Sequence, residues 1–369
     1  MKVGFLDIVH FITAFLLLFF SIFLLSLKKG KRLSNIILAV FLLSKALGII
    51  NYMILRFEIE NPHIYFVLLP FAFLYGPSIY FYTRSLAFRD FAFKRIHVIH
   101  LVPLLLIAIY FTVIYHTQSM ASKVKILTDL RDSLPLQALI IIISLHILIF
   151  GYLSASFHIL LKYRRKLKLF YSATEKINLS WLNYVLIGYS VIWAIDVTSF
   201  LLGRLSLPTF FLNASANVLV FIFANVIVLK GLKQPEIFNG IEEKQKYRYS
   251  RLTQPDKERY MKLLQSHMVD KKPYLDPSLT LNELSRNISI SPRDLSQIIN
   301  ESLGINFFDF VNSYRVEEAK RFLMDSSNHN KNILEILFDA GFNTKSVFNR
   351  VFKKYTGMTP SEYKKSRQG

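Results

Sequence analysis

The chain has 369 residues, 52% of them hydrophobic, no cysteine and a net charge of +20. The missing cysteine excludes disulfides and thiolate metal sites, and the length suits two domains or so. Nucleic-acid binding cannot be read from the charge alone: residues 1–230 hold 22 Lys/Arg against 8 Asp/Glu, whereas residues 255–369 hold 18 against 14.

A helix that crosses a bilayer needs ~20 mostly apolar residues. Seven segments before residue 230 meet that requirement: 5–27, 33–55, 64–83, 96–115, 135–161, 181–202 and 208–229. The first is too long for a signal-peptide core, and no small-residue cleavage site follows it. Pro70 and Gly76-Pro77 are expected to break the third.

The loops between these segments alternate in charge. Loops 28–32, 84–95 and 162–176 carry four, four and six cations, while 56–63, 116–134 and 203–207 carry one, three and one. The positive-inside rule then places the N-terminus outside and everything after Lys230 in the cytoplasm. The outer loops are too short for a folded external domain. Any signal detected by this half must therefore bind within the bundle, at its mouth, or on another protein.

Three ionisable residues fall well inside the apolar segments: Lys45, His146 and Asp196. Such groups are expensive at membrane depth and face a bundle interior or a wet cavity. Two readings stand. They form a buried ion pair that fixes helix packing, or a pocket for an unknown small-molecule or membrane signal, with His146 as a pH-sensitive latch. On the second reading, rearrangement moves the seventh helix and the linker beyond Lys230. Tyr189, Trp193 and Ser199 share a helix side with Asp196, and Asn213 and Asn217 form a polar pair on the seventh segment.

Residues 231–254 mix glycine, proline and charge and read as a linker. From 255 to 369 the sequence is that of a soluble helical domain. Leu281, Leu284 and Ile288 form one apolar stripe. Ser291 is placed to cap the next helix, with Pro292 in its first turn, and Leu295, Ile298 and Ile299 form a second stripe closed by Gly304. This is a helix-turn-helix unit over 279–304. The pattern recurs over 332–357: Ile333, Ile336 and Leu337, a turn at Gly341, a cap at Thr344, then Val347, Phe348, Val351 and Phe352. Residues 307–325 form a longer amphipathic helix between the units. The outer faces are expected to carry Arg293, Ser296, Gln297 and Asn300 in the first unit, and Lys345, Ser346, Asn349, Arg350 and Lys353 in the second. These are side chains that read base edges and phosphates.

The spacing of Gly341-Phe342, Ser346, Phe348, Arg350, Phe352-Lys353-Lys354, Gly357, Thr359-Pro360 and Tyr363 resembles the DNA-binding domain of AraC/XylS-family transcription regulators. The first unit adds Leu284, Ile290-Ser291, Leu295-Ser296, Asn300, Gly304, Arg315 and Ala319. YGPSIYFYTRSL (75–86) resembles the seven-helix membrane halves of some bacterial members. The family's usual alanines are Ser285 and Leu337 here, and Ser289 stands near the usual turn glycine, where it costs little if it avoids positive φ.

The resemblance implies an all-α protein: a seven-helix transmembrane domain (1–230), a linker (231–254) and a DNA-binding domain (255–369). It implies base reading by Arg293, Ser296, Gln297, Lys345, Ser346, Asn349 and Arg350. Phosphate contacts fall to Asn300, Lys353 and Lys354. The partners are double-stranded DNA and the lipid bilayer of the inner membrane, and a homodimer is compatible.

A competing class is a seven-helix receptor whose cytoplasmic tail binds a protein. An enzyme or transporter is disfavoured. There is no phosphate-binding glycine loop, no H-E-x-x-H and no nucleophile elbow, and no second broken segment matches the third. His97 and His100 lack carboxylate partners. The expectation is no catalysis and no cofactor.

Overall fold

The computed structural model describes residues 4–27, 31–57, 61–175, 177–232, 252–325 and 331–368. The expected linker 231–254 lies almost wholly outside the described residues. The fold is all-α; an isolated bridge pairs Tyr171 with Thr280. The chain divides into two compact units, residues 1–161 with 179–243, and residues 162–178 with 244–369. The stretch 162–176, expected to be a loop of the first half, thus falls within a segment, 162–178, that belongs with the second.

In the first unit, seven helical stretches are long and apolar enough to cross a membrane. They comprise α1 (Phe5–Ser26), α2 (Arg32–Arg56), an irregular third ending in α3 (Tyr75–Ala87), a fourth built around α4 (Val102–Phe111), α6 (Leu136–Phe170), α7 (Ser180–Arg204) and α8 (Phe210–Leu232). The third differs from expectation in where it breaks. A tight 3-10 stretch (Leu69–Leu74) contains Pro70, whereas Gly76 and Pro77 lie within the first turn of α3, where proline costs no helical hydrogen bond. Between the fourth and fifth apolar stretches, the connecting segment contributes a further helix, α5 (Met120–Asp132), capped by Ser119. The fifth span also outruns its expected end at Leu161: α6 continues to Phe170.

Burial in this unit is inverted relative to a soluble helix. On α1 the covered face is Asp7, His10, Thr13, Leu17, Ser21 and Leu24, while Phe15, Phe19 and Ile22 are exposed. Several inward polar groups are partnered. Asp7 pairs with Arg56 at 3.7 Å, and Ser21 Oγ donates to the Ala39 carbonyl at 2.9 Å. Ser85 Oγ donates to Ser34 Oγ at 2.9 Å. Lys31, one of the loop cations, donates to the carbonyls of Ser85 and Phe88 and so closes the C-terminus of α3.

The second unit is built from local signals. Helix α9 (Gln254–Lys271) starts at a Thr253/Asp256 capping box, α10 (Leu281–Asn287) at Thr280/Glu283, and α11 (Pro292–Leu303) at Ser291, whose hydroxyl accepts from the Asp294 N–H. After the linking helix α12 (Phe307–Met324), α13 (Ile333–Asp339) begins at an Asn332/Glu335 box, α14 (Lys345–Thr356) at Thr344, and α15 (Pro360–Gln368) follows. Each cap satisfies N–H groups that a helix start leaves open.

Two apolar cores result. The first holds Leu264, Leu281, Leu284, Leu295 and Ile299, and the second holds Ile336, Leu337, Phe348, Val351 and Phe352. Helix α12 serves both, giving Phe307, Phe310 and Val311 to one and Phe308, Val316, Ala319 and Leu323 to the other. Ser285 and Leu337 are both fully buried, so the second core has room for a leucine at the position the family gives to alanine. Ser289 departs from expectation. Its φ is +55°, a left-handed turn without glycine, which costs about 1–2 kcal/mol.

Gly341 has φ +82°, and a Cβ there would lie 2.5 Å from the Tyr274 carbonyl oxygen and 2.9 Å from Leu275 Cα. The turn of the second helix-turn-helix therefore rests against the loop that precedes the first, and Asn343 Nδ2 donates to the Pro277 carbonyl at 3.2 Å alongside it. Gly304 has φ +67° with open space around it. Gly304→Ala should cost only the left-handed strain, about 1–2 kcal/mol. Gly341→Ala adds overpacking against backbone and should cost about 2–5 kcal/mol. Hydrogen exchange of the α13 and α14 amides in the full chain checks the difference; equal losses would contradict the close approach.

Candidate functional site

The strongest sequence signal falls on α14, a helix split cleanly between two faces. Val347, Phe348, Val351 and Phe352 are buried in the second core, while Lys345, Ser346, Arg350 and Lys353 are exposed and Asn349 is half-buried beside them. Among the described residues, no hydrogen bond or ion pair engages the Arg350 side chain. Its guanidinium is free to meet a planar acceptor such as a guanine edge.

Lys354 behaves differently from its neighbour. Its Nζ sits 2.8 Å from Asp309 Oδ1 at the start of α12, and Tyr355 Oη donates to the Asp309 carbonyl at 3.0 Å. The hydrogen bond to Asp309 raises the lysine above its ordinary range. While Asp309 is ionised, the pair contributes to stability below the free lysine range and loses that contribution as pH rises through the raised value. This side chain pins α14 to the linking helix, and the expected phosphate role has to compete with an internal carboxylate.

The first unit presents less. Ser296, expected on the outer face of α11, is 3% exposed. Its backbone carbonyl accepts from Asn300 Nδ2 at 2.7 Å, so Asn300 folds back onto the helix rather than reaching out. Gln297 Nε2 donates to Glu301 Oε1 at 2.9 Å, and Glu301 pairs with Lys257 of α9 at 2.7 Å. That hydrogen bond from Lys257 holds the Glu301 carboxyl below its usual range. Arg293 is half-buried, and its Nε and Nη2 are shielded without a partner. The residues that sequence reasoning missed here, Lys257 and Asp309, are ordinary surface charges in sequence. Only the packing of α9 on α11 and of α14 on α12 gives them a function.

Behind both faces lies Arg315 on α12, 1% exposed. It donates to the carbonyls of Tyr274 and Asp276 at 2.7 Å each, and to Ser172. Burial pushes its guanidinium down to about 10, with Glu175 and Asp276 opposing, so it remains charged.

In the first unit, Lys45 and Asp196 line one cavity of about 320 Å³ together with His10, Tyr52, Tyr75, Asn213 and Asn217. They do not form the expected ion pair. Instead the Lys45 Nζ lies 3.9 Å from the Tyr75 ring centroid and 4.9 Å from that of Tyr189, a cation-π arrangement. Asn213 Oδ1 accepts from Ser199 Oγ at 2.6 Å. His146 is not in the cavity wall: it packs beside Phe200 with ring centroids 6.1 Å apart, and its Nδ1 is buried without a partner. His10 was missed because it lies near the end of its segment, and Tyr52 and Tyr75 because an uncharged tyrosine does not stand out among apolar residues.

Residues 284–366 match a family described as a helix-turn-helix domain. An uncharacterized HTH-type transcriptional regulator of Staphylococcus aureus (strain COL) is 37% identical over 89 residues, 24% of this chain and 12% of its own length. The HTH-type transcriptional regulator YtdP of Bacillus subtilis (strain 168) is 34% identical over 93 residues, 25% of this chain and again 12% of its own. The chain thus spans 12% of the length of these curated relatives. The crystal structure of the C-terminal domain of the two-component response regulator yesN from Fusobacterium nucleatum aligns at 30% identity, covering 29% of this chain and 98% of that one, with a TM-score of 0.25.

The contrast on α14 is testable on stability alone. Arg350→Ala should change unfolding free energy by less than about 0.5 kcal/mol. A double-mutant cycle on Lys354→Met and Asp309→Asn should give a coupling of about 0.2–1 kcal/mol, as for a largely exposed pair. A coupling of zero would return Lys354 to the free face.

Proposed function

We propose that the protein is a DNA-binding transcription regulator held in a membrane by its seven apolar helices; the match of residues 284–366 to a helix-turn-helix domain family supports the first part of that reading. The observation that carries the reading is the split of α14: a fully buried apolar face seats the helix, and Lys345, Ser346, Asn349, Arg350 and Lys353 face outward together. Arg350 is the base reader of first choice, and Lys353 meets phosphate. From α11, Arg293 and Gln297 are the candidates; Ser296 is withdrawn because it is buried.

Membrane insertion is supported by seven helical stretches of sufficient length and apolarity and by α1. Its inward polar groups and outward phenylalanines suit a lipid solvent, in which the bundle interior is the place for hydrogen-bonding groups. With the cation-rich loops inside, the N-terminus is external and the helix-turn-helix units are cytoplasmic. The cavity around Lys45 and Asp196 is the candidate signal site. Its size suits a small molecule, and its lining brings a cation and a carboxylate that no salt bridge joins to each other.

Reporter fusions after Lys31, Lys125 and Lys168 should report inside, outside and inside; an external Lys168 fusion would place the reading units on the wrong side of the membrane. Arg350→Ala should weaken DNA binding by about 1–3 kcal/mol and relax specificity at one base pair. Genome occupancy of the intact protein and its Arg350→Ala variant checks this, and an unchanged occupancy pattern would remove Arg350 from the readers. Lys45→Met and Asp196→Asn should leave protein levels normal and lock regulation on or off. Normal levels with unaltered regulation would eliminate the cavity as a signal site.

A further inference from the structure

The segment 162–178 connects α6 to α7 in sequence, yet its packing partners are those of the helix-turn-helix unit. Ser172 is 1% exposed, and each of its polar atoms is engaged. Its N–H and its hydroxyl both donate to the Leu279 carbonyl, at 3.3 and 2.6 Å. The hydroxyl accepts from Arg315 Nη2 at 3.1 Å, and its carbonyl accepts from Arg315 Nη1 at 3.3 Å and Asn312 Nδ2 at 3.2 Å. Tyr171 forms the antiparallel bridge with Thr280, the cap of α10. Phe170 packs on the first core, and the Lys168 Nζ lies 5.5 Å from the Phe308 ring centroid.

The placement of these contacts matters. Arg315 also holds the carbonyls of Tyr274 and Asp276, in the loop on which the Gly341 turn and Asn343 rest. A single buried guanidinium therefore joins the segment, the cap region of the first reading unit and the seat of the second. Withdrawing Ser172 would strand buried donors of a charged group, which is costly, so loss of the segment cannot leave the loop 273–277 undisturbed.

We propose that residues 168–175 are the input contact of the regulator: displacement of α6 and α7 reaches both reading units through Ser172 and Arg315, with Arg315 as a positioning residue. This rests on the reading of the chain as a regulator whose first half senses a signal. The route differs from the linker after Lys230, because the segment is fixed to the reading domain by at least five hydrogen bonds.

The chain has no cysteine, so Tyr171→Cys with Thr280→Cys creates one defined disulfide. The full-length variant is placed in lipid nanodiscs and oxidised or reduced, and its affinity is measured for a duplex enriched from a random-sequence pool on the wild type. The disulfide should form readily, and the oxidised and reduced forms should differ in affinity by about fivefold or more, within the range of site-to-site coupling. Ser172→Ala, which keeps the backbone bonds, should alter affinity by a similar factor, and it supplies the reading if the cysteine pair fails to accumulate. A disulfide that does not form, or forms with affinity equal to the reduced protein, overturns the proposal, as does wild-type affinity in Ser172→Ala. A wild type that enriches no duplex at all overturns instead the regulator reading on which it rests.

Discussion

A charged guanidinium shut inside a helical domain sets the geometry of everything around it. Arg315 cannot shed its proton, so its five N–H donors must find acceptors in a fixed planar fork. Most of those acceptors are backbone carbonyls from segments far apart in sequence: Tyr274, Asp276 and Ser172. Backbone carbonyls cannot rotate to accommodate a moving partner as side chains can. The linking helix, the loop before the first reading unit and the segment after α6 are held in mutual register by that demand. The Gly341 turn is seated on the same loop, so the spacing of the two reading units depends on it at one remove.

The two units place their polar residues differently, as the proposed difference of solvent would require. In the second, buried polar groups are braces: Arg315 and Asn312, and Glu318, which accepts from Tyr274 Oη at 3.1 Å and Lys272 Nζ at 3.0 Å. In the first, α1 turns serine, threonine and aspartate inward and most of its phenylalanines outward. Hydrocarbon gains nothing from covering a phenylalanine with protein, but it penalises an exposed hydroxyl. Lys45 shows the same constraint solved by aromatic faces, since its ammonium lies against two tyrosine rings rather than a carboxylate.

Much of this was legible because it is local. Caps at Ser291 and Thr344, the stripes of α10 to α14, and the glycines at 304, 341 and 357 follow from interactions within a few residues. The seven apolar stretches follow from length and hydropathy. What escaped depends on contacts between distant segments. Ser289 takes positive φ because the turn requires it, although serine gives no sign of that. Ser296 is a small polar residue at the edge of an apolar stripe, and neighbouring packing decides that it is covered. Lys354 and Arg350 are indistinguishable as surface cations until Asp309 arrives from α12. Lys45 and Asp196 were found because charge is conspicuous among apolar residues, whereas their tyrosine partners were not. Nothing in the basic, turn-like composition of 162–178 marks Ser172 as a buried contact.

The central claim is that the full chain binds duplex DNA through phosphate and base contacts from the reading units. Its most direct measurement is the salt dependence of that binding, with the intact protein in nanodiscs and an enriched duplex. Neutralising phosphates with Lys353, Lys345 and neighbouring cations releases counterions, so log affinity should fall linearly with log salt, with a slope of about −0.9 per phosphate contact. A slope of several units, reduced by about one in Lys353→Ala, is the predicted result. A flat dependence, or no binding to duplex under conditions where the folded protein is intact, would contradict the account and leave the C-terminal domain as a surface for a protein partner.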